Sequence, residues 1–162
     1  MQILSIDPSS RAVGWAIFSD QNASGNFRLY DCGTFRPKGE DYVERCQNLS
    51  TMLRQRIIQT PDLVLVERFH FQEKGATQKN TAPKETQLAA FTTGKLCVAI
   101  GAVIGTFSDT KLRIVSGHKT KAGARLIAEK HGVKKCSEHA ADAVSIGDYW
   151  VEAHKKKVLS RA

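Results

Sequence analysis

Three carboxylates and one imidazole stand out by type and place. Asp7 closes the short apolar run "QILSID", and Glu67 lies at the end of "LVLVER" about sixty residues later. His139 and Asp142 belong to "HAAD", three residues apart and so on one face of a helix. Neighbouring strands of one sheet lie about 4.8 Å apart, so two strand ends remote in sequence can meet at one edge. The small residues Ala140, Ala141 and Ala143 would let the helix pack close to that sheet. Together the four side chains make an oxygen-rich pocket with a single imidazole. Such a donor set suits Mg²⁺ or Mn²⁺, the imidazole adding tolerance for Mn²⁺. Clustered carboxylates repel one another unless a cation neutralises them. Two such ions about 4 Å apart form a clamp for in-line phosphodiester hydrolysis, one activating water and the other stabilising the leaving oxygen.

Each residue also has a plainer reading. Asp7 before Pro8 can open an Asx turn. Glu67 can pair with Arg68 or with a lysine at the sheet edge, and His139 with Asp142 can form a solvated helix pair. Glu138 rivals the other two helix residues as a ligand. It points about 100° away from His139 and, in a first turn, can simply complement the helix dipole. Only convergence of both strand ends on the helix face separates these readings.

The elements that must achieve this convergence are legible in outline. "QILSID", "AVGWAIFS" and "RLYDCGTFR" read as three strands joined by short polar turns, hence an antiparallel meander. From Glu40 to Gln59, Val43, Cys46, Leu49, Leu53 and Ile57 recur at helical spacing, and Pro61 marks the end. "LVLVER" is continuously apolar, as a strand covered on both faces should be. A polar, Lys-rich loop follows, then a long helix from about Glu85 to Ile104. The strand "KLRIVSG" leads to a helix in "HKTKAGARLIAEKHG", and the last helix reads "SEHAADAVSIGDYWVEAH" with Ser137 as N-cap. The order predicts an α/β fold: a mixed sheet, meander plus parallel strands, flanked by helices. Residues 1–155 are expected to form a single domain, and 156–162 a basic tail.

Bulk composition narrows the partner. With 24 Lys and Arg against 16 Asp and Glu, the 162-residue chain carries a formal +8, which favours a polyanion, nucleic acid before an acidic membrane surface. Cys32, Cys46, Cys97 and Cys136 show no metal-site spacing and read as free thiols. "LCVAIGAVIGTF" is too short to span a bilayer, and no signal-peptide pattern opens the sequence, so a cytoplasmic location is expected.

The stretches "ILSIDPSSRAVGWAIF", "LVLVERFHFQEK" and "SEHAADAVSIGDYW" together resemble the RuvC family of Holliday-junction resolvases, dimeric endonucleases of the ribonuclease H-like superfamily. The likeness runs through essentially the whole chain in order and spacing. One departure is Ser9, where the family has glycine; at the position of His139 members carry either Asp or His. The resemblance implies a ribonuclease H-like fold, with Asp7, Glu67, His139 and Asp142 holding two divalent ions, Mg²⁺ or Mn²⁺. It further implies an aromatic that works at the junction centre, here Phe69 or Phe71, able to stack on an unpaired base. Lys119 and Lys121 fall near the scissile phosphate, with His118 beside them. Lys74, Lys79 and Lys84, in the loop after Glu67, are expected to contact the DNA backbone. A homodimer matches the two-fold symmetry of a four-way junction, with the Glu85–Ile104 helix as its interface. The expected function is crossover junction endonuclease, in a bacterial cell or a phage-infected host. Three alternatives are a ribonuclease H-like nuclease of broader branched-DNA or hybrid specificity, a non-catalytic junction scaffold, and a sugar-kinase or actin-type ATPase. The ATPase needs two such domains, and this length holds one.

Overall fold

A computed structural model of the chain describes residues 1–9, 11–20, 26–67, 83–115 and 121–159, with side chains left out at 83–92, 121 and 155–159. Three strands open it: β1 (Gln2–Asp7), β2 (Val13–Ser19) and β3 (Arg28–Phe35). Then come α1 (Tyr42–Arg56), β4 (Leu63–Glu67), α2 (Pro83–Thr106), β5 (Lys111–Val115), α3 (Lys121–Lys130) and α4 (Glu138–Leu159). The sheet order is β3-β2-β1-β4-β5; β1, β2 and β3 pair antiparallel, while β4 runs parallel to both β1 and β5. This is the mixed sheet expected from the order of elements.

Alternation along the strands sorts the apolar residues into two cores. Leu4, Ile6, Trp15, Val64 and Val66 face one side, where they bury against Leu49 and Leu53 of α1 and Val103 of α2. Ile3, Ala16, Phe18, Leu63 and Leu65 face the other, against α3 and α4. β4 is covered on both faces, its four apolar residues at most 2% exposed, which is why its sequence lacks alternation.

Several boundaries differ from the sequence expectation. Helix α1 stops at Arg56, three residues short of the expected end at Gln59. Asp41 caps its start by accepting the Glu44 N–H, and Ile57 is the C-cap, its N–H donating to the Leu53 carbonyl at 2.8 Å. Val43 falls in the first turn and is exposed, so the buried stripe reduces to Cys46, Leu49 and Leu53. Helix α2 begins at Pro83 rather than Glu85, proline being well suited to a first helical position because its missing N–H is not needed there. Helix α4 runs on to Leu159, past His154.

Candidate active site

Register brings the first two carboxylates together. β1 and β4 pair from Ile3↔Leu63 to Ile6↔Val66, and one step further sets Asp7 beside Glu67. Both continue the face carrying Ile3, Leu63 and Leu65, the face on which α4 lies. The first turn of α4 arrives at this spot. His139 Nδ1–H donates to Asp7 Oδ2 at 2.6 Å, joining residues 132 apart in sequence. The Asp7 side chain is 13% exposed and that of His139 38%, so the pair lies at the rim of the core rather than in open solvent. Asp142 follows one turn along α4 and is half-buried, as is Glu138.

Glycine permits the approach. A Cβ on Gly14, which pairs with Asp7 across β2, would overlap the His139 carbonyl. Further along, a Cβ on Gly147 would overlap the Phe18 ring. Between these points Ser5, fully buried on β1, donates its hydroxyl to the Ala143 carbonyl at 2.7 Å. Ser137 is the N-cap, accepting the Ala140 N–H at 3.1 Å, and its hydroxyl also bonds Thr34 Oγ1 on β3. Backbone approach, a buried hydroxyl and a cap therefore fix where His139 stands. Motif spacing gives no role to Gly14, Ser5 or Thr34. An isolated serine inside an apolar strand was the available signal.

The thiols lie around this core as free cysteines, Cys97 exposed and the others partly or fully buried. Burial pushes the Cys136 thiol up; Arg125 opposes this, while Asp142 and Glu129 add to it. Asp142 is thus within electrostatic reach of the residue preceding the helix cap.

The donor set fits an oxygen-preferring divalent cation in kind: three carboxylates and an imidazole, two of them already in contact. It is not drawn into a closed cage, for among the described residues no three His, Cys, Asp or Glu side chains form a metal-holding group. Phe69, Phe71, Lys74, Lys79, His118 and Lys119 lie outside the described residues. Lys84 falls within α2 and not in the loop expected for it, because the helix begins one residue earlier. Lys121 opens α3.

Over 76 residues, 46% of this chain and 45% of the relative, the sequence is 40% identical to the crossover junction endodeoxyribonuclease RuvC of Nitratidesulfovibrio vulgaris. It is 37% identical over 79 residues to that of Prochlorococcus marinus, 48% of this chain and 50% of the relative. The matched stretches span about half the length of these relatives. No family model matches the chain. The fold extends the likeness: RuvC of T. thermophilus, solved with a Holliday junction substrate, superposes with a TM-score of 0.63 over 90% of both chains at 18% identity. The chain shares the fold of RuvC, and about half of it resembles RuvC in sequence. The resolvase of fowlpox virus, solved with Holliday junction DNA, has the same fold, with a TM-score of 0.60 at 16% identity over 94% of this chain and 98% of that one. In RuvC-like terms, the Asp7–His139 contact joins the first and last of the three stretches that carry the sequence resemblance. No described helix is long and apolar enough to cross a membrane.

Proposed function

We propose that this chain is a metal-dependent endonuclease that resolves four-way DNA junctions by paired symmetric nicks, acting as a homodimer in the cytoplasm. The observation that carries this reading is the contact of Asp7 with His139 beside Glu67, within a fold shared with junction-bound RuvC. Asp7, Glu67, His139 and Asp142 would hold the cations, Mg²⁺ or Mn²⁺, with two per site the arrangement suited to in-line hydrolysis. Bound there, they supply an activated water and neutralise the charge developing on the leaving oxygen.

The rest is work for the chain's own groups. Asp7 orients the His139 ring through Nδ1–H, a restraint typical of ligating histidines. Ser137 and Gly14 hold the first turn of α4 against the sheet, so its face cannot drift from the strand ends. Basic residues, Lys119 and Lys121 among them, offset the phosphate charge, and Phe69 or Phe71 stacks on a base at the junction centre. Lys74, Lys79 and Lys84 contact the backbone. Dimerisation is supported by the outer face of α2. Gly94, Cys97, Val98, Gly101, Ile104 and Gly105 recur there at helical spacing, all exposed and none charged, with open space where the three glycines would carry a Cβ.

The test is a fixed four-way junction with each strand labelled in turn, incubated with Mg²⁺, with Mn²⁺ or with chelator. The expected result is metal-dependent nicks at matched positions on two opposed strands. Equal or better cutting of forks or RNA–DNA hybrids would overturn the substrate assignment. A monomeric mass by light scattering at working concentration would overturn the dimer.

A further inference from the structure

Antiparallel pairing of β1 with β2 and of β2 with β3 brings two connections to the end of the sheet where Asp7 stands. One is the β1–β2 turn, which holds Arg11. The other joins β3 to α1 and holds Arg36 and Lys38. The pairing Val13↔Phe35, carried one residue on, brings Ala12 level with Arg36, so Arg11 and the 36–38 stretch lie on adjacent connections. All three are exposed, and none has an acidic partner among the described residues.

Both connections are held in shape. Pro37 is buried between Arg36 and Lys38. Asn48 Nδ2 donates to the Lys38 carbonyl at 2.7 Å, and Arg45 Nη1 donates to the Gly39 carbonyl at 3.0 Å. Arg11 N–H donates to Ser9 Oγ at 3.3 Å. Acids lie close by, but two are engaged in starting α1: Asp41 accepts the Glu44 N–H, and Glu44 accepts the Glu40 N–H. Asp41, Glu44 and Glu40 keep their charges, but among the described residues none of them forms an ion pair with Arg11, Arg36 or Lys38. Three exposed cations without an ion-pair partner among the described residues, on connections at the end of the sheet where Asp7 stands, suit an external polyanion.

We propose that Arg11, Arg36 and Lys38 form a phosphate-binding track beside the carboxylates, gripping the DNA strand a few nucleotides from the bond that is cut. The track rests on the nuclease reading above and deepens it by assigning a second hold on the substrate. Two strand spacings separate β1 from β3, roughly 10 Å. Contacts of this kind set register and orientation without reading sequence.

The experiment measures junction binding by fluorescence anisotropy in chelator, where nothing is cut, across a salt series. Wild type is compared with the triple variant Arg11→Gln/Arg36→Gln/Lys38→Gln. It is also compared with Arg28→Gln/Arg54→Gln/Lys111→Gln, which removes the same charge at the opposite end of the sheet. The track variant should lower the log–log salt slope by about 2–3 and weaken binding at least tenfold for every junction sequence, while the control leaves the slope unchanged. The single variant Arg36→Gln should lower the slope by about 1, which keeps the test open if the triple variant is unstable. Unaltered slope in the track variants, or an equal loss in the control, would overturn the track while leaving the nuclease reading intact. Wild type that binds no junction would overturn both.

Discussion

The two ends of the sheet handle charge in opposite ways. At the end where β1 begins, Asp31 meets Arg56, and the same guanidinium lies 5.3 Å over the Trp15 ring. A groove of about 620 Å³ opens there, with Tyr30 and Ile58 on its walls. Opposite charges cancel within the chain. At the end where β1 finishes, Asp7 instead stands beside Glu67, with Asp142 near and the His139 imidazole bonded to Asp7. Like charges are gathered, an arrangement that raises the energy of the ionised carboxylates until cations relieve it.

The largest effect expected from breaking this contrast is at Asp7. Asp7→Asn keeps the shape and removes the charge; nicking of a labelled junction should fall at least ~10²–10³-fold while junction binding is kept or strengthened. Near-normal nicking in Mg²⁺ would remove Asp7 from the cation site. Next comes Gly14→Ala, whose methyl group meets the His139 backbone. It should lower stability by about 1–3 kcal/mol in urea unfolding and reduce nicking as α4 is pushed from the sheet. A variant with unchanged midpoint and rate would show that α4 tolerates the shift.

A smaller effect is expected at His139. His139→Asp exchanges the imidazole for a harder oxygen ligand, so nicking should persist with its metal preference moved from Mn²⁺ toward Mg²⁺. Inactivity in every divalent metal would contradict an exchangeable ligand. The smallest effect belongs to the far end. Arg56→Gln removes an ion pair whose side chains are 54% and 33% exposed, so solvent screening holds the loss to about 1 kcal/mol or less, with nicking unchanged. If Arg56→Gln impaired cutting as strongly as Asp7→Asn, the division between the two ends would fail.

Most of the fold was readable because it rests on short-range rules. The short apolar runs of β1 and β2 between polar turns, the unbroken apolar run of β4 and the Ser137 cap each follow from the side chains within a few residues. Helix α1 shows where such rules stop: Val43 and Ile57 match the helical period, but one lies in the first turn and the other serves as the cap. The candidate site was legible as four residue types at suggestive spacing, each with an ordinary alternative. What weighs against the alternative at Asp7 is a bond to His139 across 132 residues.

Local sequence by itself determined which segments become strands and helices, which faces are apolar, and that acids end two of the strands. Only the tertiary structure decided that these acids share a register and a face, and that the first turn of α4 reaches them. The reason is physical: propensity and periodicity act over a few residues, whereas register and helix approach depend on steric fit between distant segments. A missing Cβ at Gly14 and a buried hydroxyl at Ser5 provide that fit, and neither has any effect until the two surfaces meet.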